Sequence, residues 1–251
     1  MNNKYFLGII TLILLMSCKQ DMHLTRIEGE RIEINDSLTG NQDFEDFIKP
    51  FREHVNNDLD SVLAYSVGTY TKNDGELNTA IGNFMADAVL EMSNPVFKTR
   101  TGNDIDIVLL NHGGIRSILS KGDVTSRTAY QIMPFENSVV VTGLKGSSVK
   151  EMVEYLQKAK RAHPFSGMTI KLNSDFELLD VKINDEPIDD NKTYYVATND
   201  YLYNGGSNML FFKQGDSLHV LDYKIRNVLI DYFKKVDTLD LKADNRFIKT
   251  N

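Results

Sequence analysis

Three short segments carry the residue types that recognise ligands. Asn111-His112-Gly113-Gly114-Ile115-Arg116 sets a glycine pair, where a ligand can approach the backbone closely, between an amide and a guanidinium. Arg116 offers a planar donor fork suited to a phosphate or a carboxylate. Met133-Pro134-Phe135-Glu136-Asn137 places an aromatic ring after a rigid proline and ahead of polar residues. Thr198 to Ser207 holds a second ring, Tyr201, and a second glycine pair, Gly205-Gly206, followed by Ser207. Each segment alone has a plain explanation: a common turn with a surface arginine, a core phenylalanine, a hairpin with a surface tyrosine. Their combination is far more specific than any one of them.

Other chemistries lack their residues. The five histidines, His23, His54, His112, His163 and His219, form neither a His-x-x-x-His pair nor an Asp-x-His unit. His112 is therefore expected to line a turn or pocket. Gly143-Leu144-Lys145-Gly146-Ser147-Ser148 has the wrong order for a Walker loop, and no Gly-x-Ser-x-Gly elbow occurs. The one cysteine excludes a zinc site built on several thiolates. With 28 Lys and Arg against 35 Asp and Glu, a net charge of −7 argues against a nucleic-acid polymer as partner.

The elements that must position these segments begin after an address. Lys4 is the only charge before Cys18, and Tyr5 to Met16 is almost unbroken apolar sequence, too short for a spanning helix of ~20 residues. Leu15-Met16-Ser17-Cys18 resembles a bacterial lipoprotein signal. Residues 1–17 are accordingly expected to be a signal peptide and Cys18 the lipidated first residue, anchoring the chain at the cell envelope on an extracytoplasmic face. An ordinary leader with an incidental cysteine is the alternative. Residues 18–61 are expected to form an N-terminal extension and 62–251 the main domain.

Alternation from His23 to Ile34 predicts a strand or hairpin. Helical spacing from Phe44 to Leu59 predicts a helix kinked or divided at Pro50. Strands are expected at Val62–Thr69, Ile105–Leu110, Val139–Thr142, Met168–Leu172, Leu178–Ile183, Tyr194–Thr198 and Arg246–Lys249. Helices are expected at Leu77–Met92, stopped by Asn94-Pro95, and at Ser147–Gln157 and Leu218–Phe233. Strands and helices intermingle without a regular βαβ period, which favours α+β, a single mixed domain.

In order and spacing, the three segments resemble the C-terminal, substrate-binding domain of the 5′-nucleotidase/UDP-sugar hydrolase family. Ile81-Gly82-Asn83-Phe84-Met85-Ala86-Asp87, Gly143-Leu144-Lys145-Gly146, Phe165-Ser166-Gly167-Met168, Lys192-Thr193-Tyr194 and Asp244-Asn245-Arg246-Phe247-Ile248 support the likeness, which runs from Val62 to Ile248. The resemblance implies a nucleotide- or nucleoside-binding domain in which Phe135 and Tyr201 sandwich the base. Asn111 is then a base-contacting amide, Gly113 and Gly114 line the site, and Arg116 contacts phosphate or ribose. Ser207 stands where the family usually has an aspartate that accepts from ribose hydroxyls. No catalytic residue, metal ligand or cofactor is expected in this chain. A separately encoded metallophosphoesterase with its divalent metals would supply hydrolysis. Two other readings stay open. One is a repurposed scaffold binding another ligand or an envelope protein. The other is a self-sufficient hydrolase using Asp123, His112 or Asn111.

Overall fold

The structure, a computed structural model, describes Leu24 and residues 26–250, so the leader and Cys18 lie outside the described residues. The chain divides into a unit of residues 1–48 and a unit of residues 49–251. In the first, residues 26–34 form no strand, and Ile27, Ile32 and Ile34 are exposed. The alternation there finds no neighbouring strand to take up its backbone groups, and period alone does not make a strand.

Helix α1 runs Gln42–Asp60. Pro50 sits inside it, and of the two expected outcomes, a kink or a division, the division does not occur. The carbonyl that loses its partner belongs to Asp46, which is exposed and so open to solvent. Arg127 fixes the last turns, donating to Asn56 and to both carboxylate oxygens of Asp60.

The remaining elements are β1 (Val62–Ser66), α2 (Ala80–Thr101), β2 (Ile107–Leu109), β3 (Gly122–Thr125), α3 (Ser126–Ile132), β4 (Ser138–Lys145), α4 (Gly146–Ala159), β5 (Phe165–Ser166), β6 (Met168–Leu172), β7 (Leu178–Ile183), β8 (Glu186–Pro187), β9 (Thr193–Asn199), α5 (Asp200–Tyr203), β10 (Leu218–Lys224), α6 (Ile225–Lys235), β11 (Thr238–Leu239) and β12 (Phe247–Lys249). The mixture of helices with sheets of mixed strand direction is the α+β class that the sequence implies.

A five-stranded sheet, ordered β10-β4-β9-β2-β5, is flanked by a three-stranded sheet β11-β1-β3 and a four-stranded sheet β12-β6-β7-β8. The five-stranded sheet separates two hydrophobic cores. Val108 and Leu110 turn to a core built with Ile81, Phe84, Met85 and Val89 of α2 and Val228, Leu229 and Phe233 of α6. Ile107 and Leu109 turn to the other, built with Val149, Met152, Val153 and Leu156 of α4. The two-residue period of a strand sorts the side chains. Both faces are covered, so the segment reads as a continuous apolar run.

Two expected helices differ. Helix α2 continues past Asn94-Pro95 to Thr101, where Gly102 closes it in the left-handed conformation and donates its N–H to the Lys98 carbonyl. Pro95 gives up one backbone bond, while the Asn94 amide group turns outward to accept from the Ile105 N–H and to donate to Asp104. Residues 218–233 are not one helix. Leu218 to Lys224 pair antiparallel with β4, and the helix starts at Ile225. Asp222, with φ of 54°, interrupts any helical path, so sheet pairing overrides the helical spacing of the apolar residues.

Candidate functional site

The central position of β9 explains how segments far apart in sequence meet. β2 runs parallel to it, pairing Val108 with Ala197, and β4 runs antiparallel, pairing Val139 with Asn199. The carboxyl ends of β2 and β9 and the beginning of β4 therefore share one edge of the sheet. The loops at 111–116, 133–137 and 199–207 leave from that edge.

At the end of β2, Asn111 is extended and its carbonyl accepts from the Gly114 N–H at 2.9 Å, closing a 3₁₀ turn over His112–Gly114. A β-carbon on Gly113 or on Gly114 would stand 3.2 Å from the Asn111 amide, so the glycine pair leaves room for that side chain. The Arg116 N–H donates to the Ile132 carbonyl at 2.8 Å, which ties this loop to α3. The Arg116 guanidinium lies 5.8 Å from the centre of the Phe135 ring.

Phe135 follows α3 in a loop anchored from α6. Glu136 accepts from Lys224 and Arg226, and the Asn137 carbonyl accepts from the Ile225 N–H at 3.0 Å. These two cations hold the exposed Glu136 carboxyl down at about 2, well below the ordinary carboxylate range. Arg226 is itself buried, its guanidinium 4.0 Å from the centre of the Tyr130 ring.

Tyr201 sits in the single turn of α5. Buried Asn199 caps that turn by accepting from the Leu202 N–H at 2.8 Å. Gly206 lies directly against the Tyr201 ring, where any β-carbon would overlap it. Gly205 adopts φ of 95°, and Ser207 has φ of 54° and accepts at its carbonyl from the Tyr155 hydroxyl.

Asn111, Gly113, Gly114, Arg116, Phe135, Tyr201 and Ser207 line one cavity of about 400 Å³, together with Asn137. Phe135 is 40 % and Tyr201 50 % exposed, so both rings line the cavity with accessible surface instead of joining either core. The side chains of Asn111, Asn137 and Arg116 have no hydrogen bond or ion pair among the described residues. They are donors and acceptors left open toward the cavity.

Sequence reasoning missed Asn137, Glu136 and the particular role of Gly206. A polar residue two positions after Phe135 was the available signal for the first. The others depend on contacts that no local pattern announces.

Beside this cavity, the His112 N–H donates to His163 Nδ1 at 3.3 Å, and His112 Nε2 stands 3.2 Å from the Lys72 carbonyl. Burial pushes both imidazoles below the usual histidine value, His163 to about 4. Asp123, named as a possible hydrolytic residue, lies on β3 in the three-stranded sheet, opposite Tyr65. Among the described residues no three His, Cys, Asp or Glu side chains gather to hold a metal ion.

A concave site at the strand ends, with open aromatic faces and unpaired polar groups, has the features common to small-molecule sites. Residues 61–214 match the family described as 5′-nucleotidase, C-terminal domain, and the chain belongs to that family, which associates it with nucleotides. The trifunctional nucleotide phosphoesterase protein YfkN of Bacillus subtilis is 31% identical over 69% of this chain and 13% of its own length. Protein UshA of Escherichia coli is 26% identical over 71% of this chain and 32% of its own. The crystal structure of a 5′-nucleotidase precursor from Thermus thermophilus shares the fold with a TM-score of 0.69, at 21% identity over 82% of this chain and 43% of that one. The chain thus spans less than half the length of each of these proteins.

Proposed function

We propose that this chain is a nucleotide- or nucleoside-binding domain, held at the cell envelope by lipid on Cys18, that presents its ligand to a separate metallophosphoesterase. The observation that carries this reading is the cavity of about 400 Å³ between two exposed aromatic rings. That volume suits a nucleoside-sized ligand. In this reading Phe135 and Tyr201 stack on the two faces of the base, each contributing ~1–3 kcal/mol with little regard to which base is bound. The Asn111 and Asn137 amides meet the base edge, and Arg116 meets phosphate or ribose as the local counterweight to an acidic chain. Ser207, neutral and shorter than an aspartate, accepts a single hydrogen bond from the sugar, so the base supplies most of the recognition.

Calorimetric titration with adenosine, AMP and UDP-glucose tests the binding reading. Saturable heats with at least one of them, weakened by Phe135→Ala, are expected. Silence with all three, in the presence of a metallophosphoesterase encoded beside this chain, contradicts it. Metabolic labelling with a fatty acid, lost in Cys18→Ser, tests the anchor.

A further inference from the structure

The base cavity does not end at Asn111. A second cavity, of about 410 Å³, shares Asn111, Gly113 and Ser207 with it and continues toward the end of α4, where Tyr155, Arg161, His112 and His163 line it. No carboxylate lines this second cavity. Beyond His112 it adjoins a recess lined by Lys72, Lys160 and the same Arg161, whose only acidic residue, Glu76, is engaged by Lys249 at 3.3 Å.

Neither Arg161 nor Lys72 has a carboxylate partner among the described residues, although the chain carries a net charge of −7. Lys72 donates one N–H to the Ile115 carbonyl, at 2.8 Å. Other cations, such as Lys98, Arg127 and Arg246, are matched to carboxylates. Two that converge on one concave surface without one create a local positive field. The wall shared with the base cavity is neutral, since Ser207 brings no charge there. Its shape is fixed by the hydrogen bond from the Tyr155 hydroxyl to the Ser207 carbonyl at 2.9 Å.

We propose that this second cavity is an anion subsite in which Arg161, with Lys72 adding positive charge from the adjoining recess, holds a phosphate group of the ligand whose base lies between Phe135 and Tyr201. The inference rests on the nucleotide-binding reading and adds a second positive contact, remote in sequence from Arg116. A phosphate suits the site because Arg161 offers a fork of parallel donors. The phosphate can belong to a chain on one end of the sugar or to a second position on it. These are two sources of one chemistry.

The test is a calorimetric series on the whole chain with adenosine, AMP, ADP and adenosine 3′,5′-bisphosphate, in wild type, Arg161→Ala and Arg161→Lys. In wild type at least one phosphorylated ligand is expected to bind about tenfold more tightly than adenosine, as one charge-assisted contact provides, and to lose that advantage in high salt. Arg161→Ala should bring the ratio of phosphorylated-ligand to adenosine affinity close to one, and Arg161→Lys should restore part of it. Whether AMP, ADP or the bisphosphate gains most identifies the phosphate that occupies the subsite. An unchanged ratio in Arg161→Ala overturns the subsite and leaves the base cavity standing. Arg161-dependent binding of a phosphorylated ligand, with Phe135→Ala without effect, upholds the subsite and sinks the base reading. No binding of any ligand overturns both.

Discussion

Two arginines in this domain occupy concave surfaces and do opposite things. Arg246 borders a recess of about 230 Å³ beside β6. Its guanidinium donates to both oxygens of Asp87 at 2.8 Å, to Asp244 and to the Phe165 carbonyl. Every donor direction is used, and the side chain joins α2, β5 and the approach to β12. Arg116 borders the cavity that Phe135 and Tyr201 line, lies 5.8 Å from the centre of the Phe135 ring and has no carboxylate partner among the described residues. The first region is internally satisfied and reads as scaffold. The second keeps its polar groups and rings available. Concavity alone does not mark a site; unspent hydrogen-bonding capacity next to exposed aromatic surface does.

That contrast can be broken from either side. The largest effect is expected from Arg246→Met, which leaves Asp87 and Asp244 facing each other without their cation. Urea denaturation should show a loss of about 3 kcal/mol, with ligand affinity of the folded fraction preserved. Phe135→Ala should do the reverse, weakening adenosine by about 2 kcal/mol in calorimetry while stability stays within ~0.5 kcal/mol of wild type. Gly206→Ala sharpens the comparison, since the new methyl must push the Tyr201 ring aside. About a tenfold loss of adenosine affinity is expected, equal to about 1.4 kcal/mol, with the fold intact by circular dichroism.

The smallest effect concerns pH. Glu136 has a carboxyl depressed in the folded chain to about 2 by Lys224 and Arg226. A depressed carboxyl stabilises the fold above its ordinary value, and that contribution fades as pH falls toward the folded value. The anchor of the Phe135 loop should therefore outlast ordinary carboxylates on acidification. Amide protection of residues 133–137 should persist to about pH 4 and decline toward the value of about 2. In Glu136→Gln the protection should be lower at neutral pH and lack this acid dependence.

Much of the site was legible in the sequence because its residue types are conspicuous: glycine pairs, a proline-borne phenylalanine, a lone arginine after a buried strand. The strands that position them were legible too, since Ile107–Leu109, Ser138–Lys145 and Thr193–Asn199 overlap the strands expected at Ile105–Leu110, Val139–Thr142 and Tyr194–Thr198. What escaped was decided by distant partners. Glu136 meets Lys224 and Arg226 across some 90 residues of sequence. Leu218 to Lys224 carry helical spacing yet pair with β4, whose edge needed a neighbour. Pro95 signals a helix end, but the apolar face around Phe97 is buried and the helix continues through it. Alternation at residues 26–34, conversely, lacked a strand to pair with.

The central claim is that a nucleobase lies between Phe135 and Tyr201. Photolabelling with 8-azidoadenosine, followed by peptide mass spectrometry, tests it most directly. The account predicts label on peptides containing Phe135 or Tyr201, suppressed by excess unmodified adenosine. Label spread over other surfaces, or label that adenosine fails to displace, contradicts it.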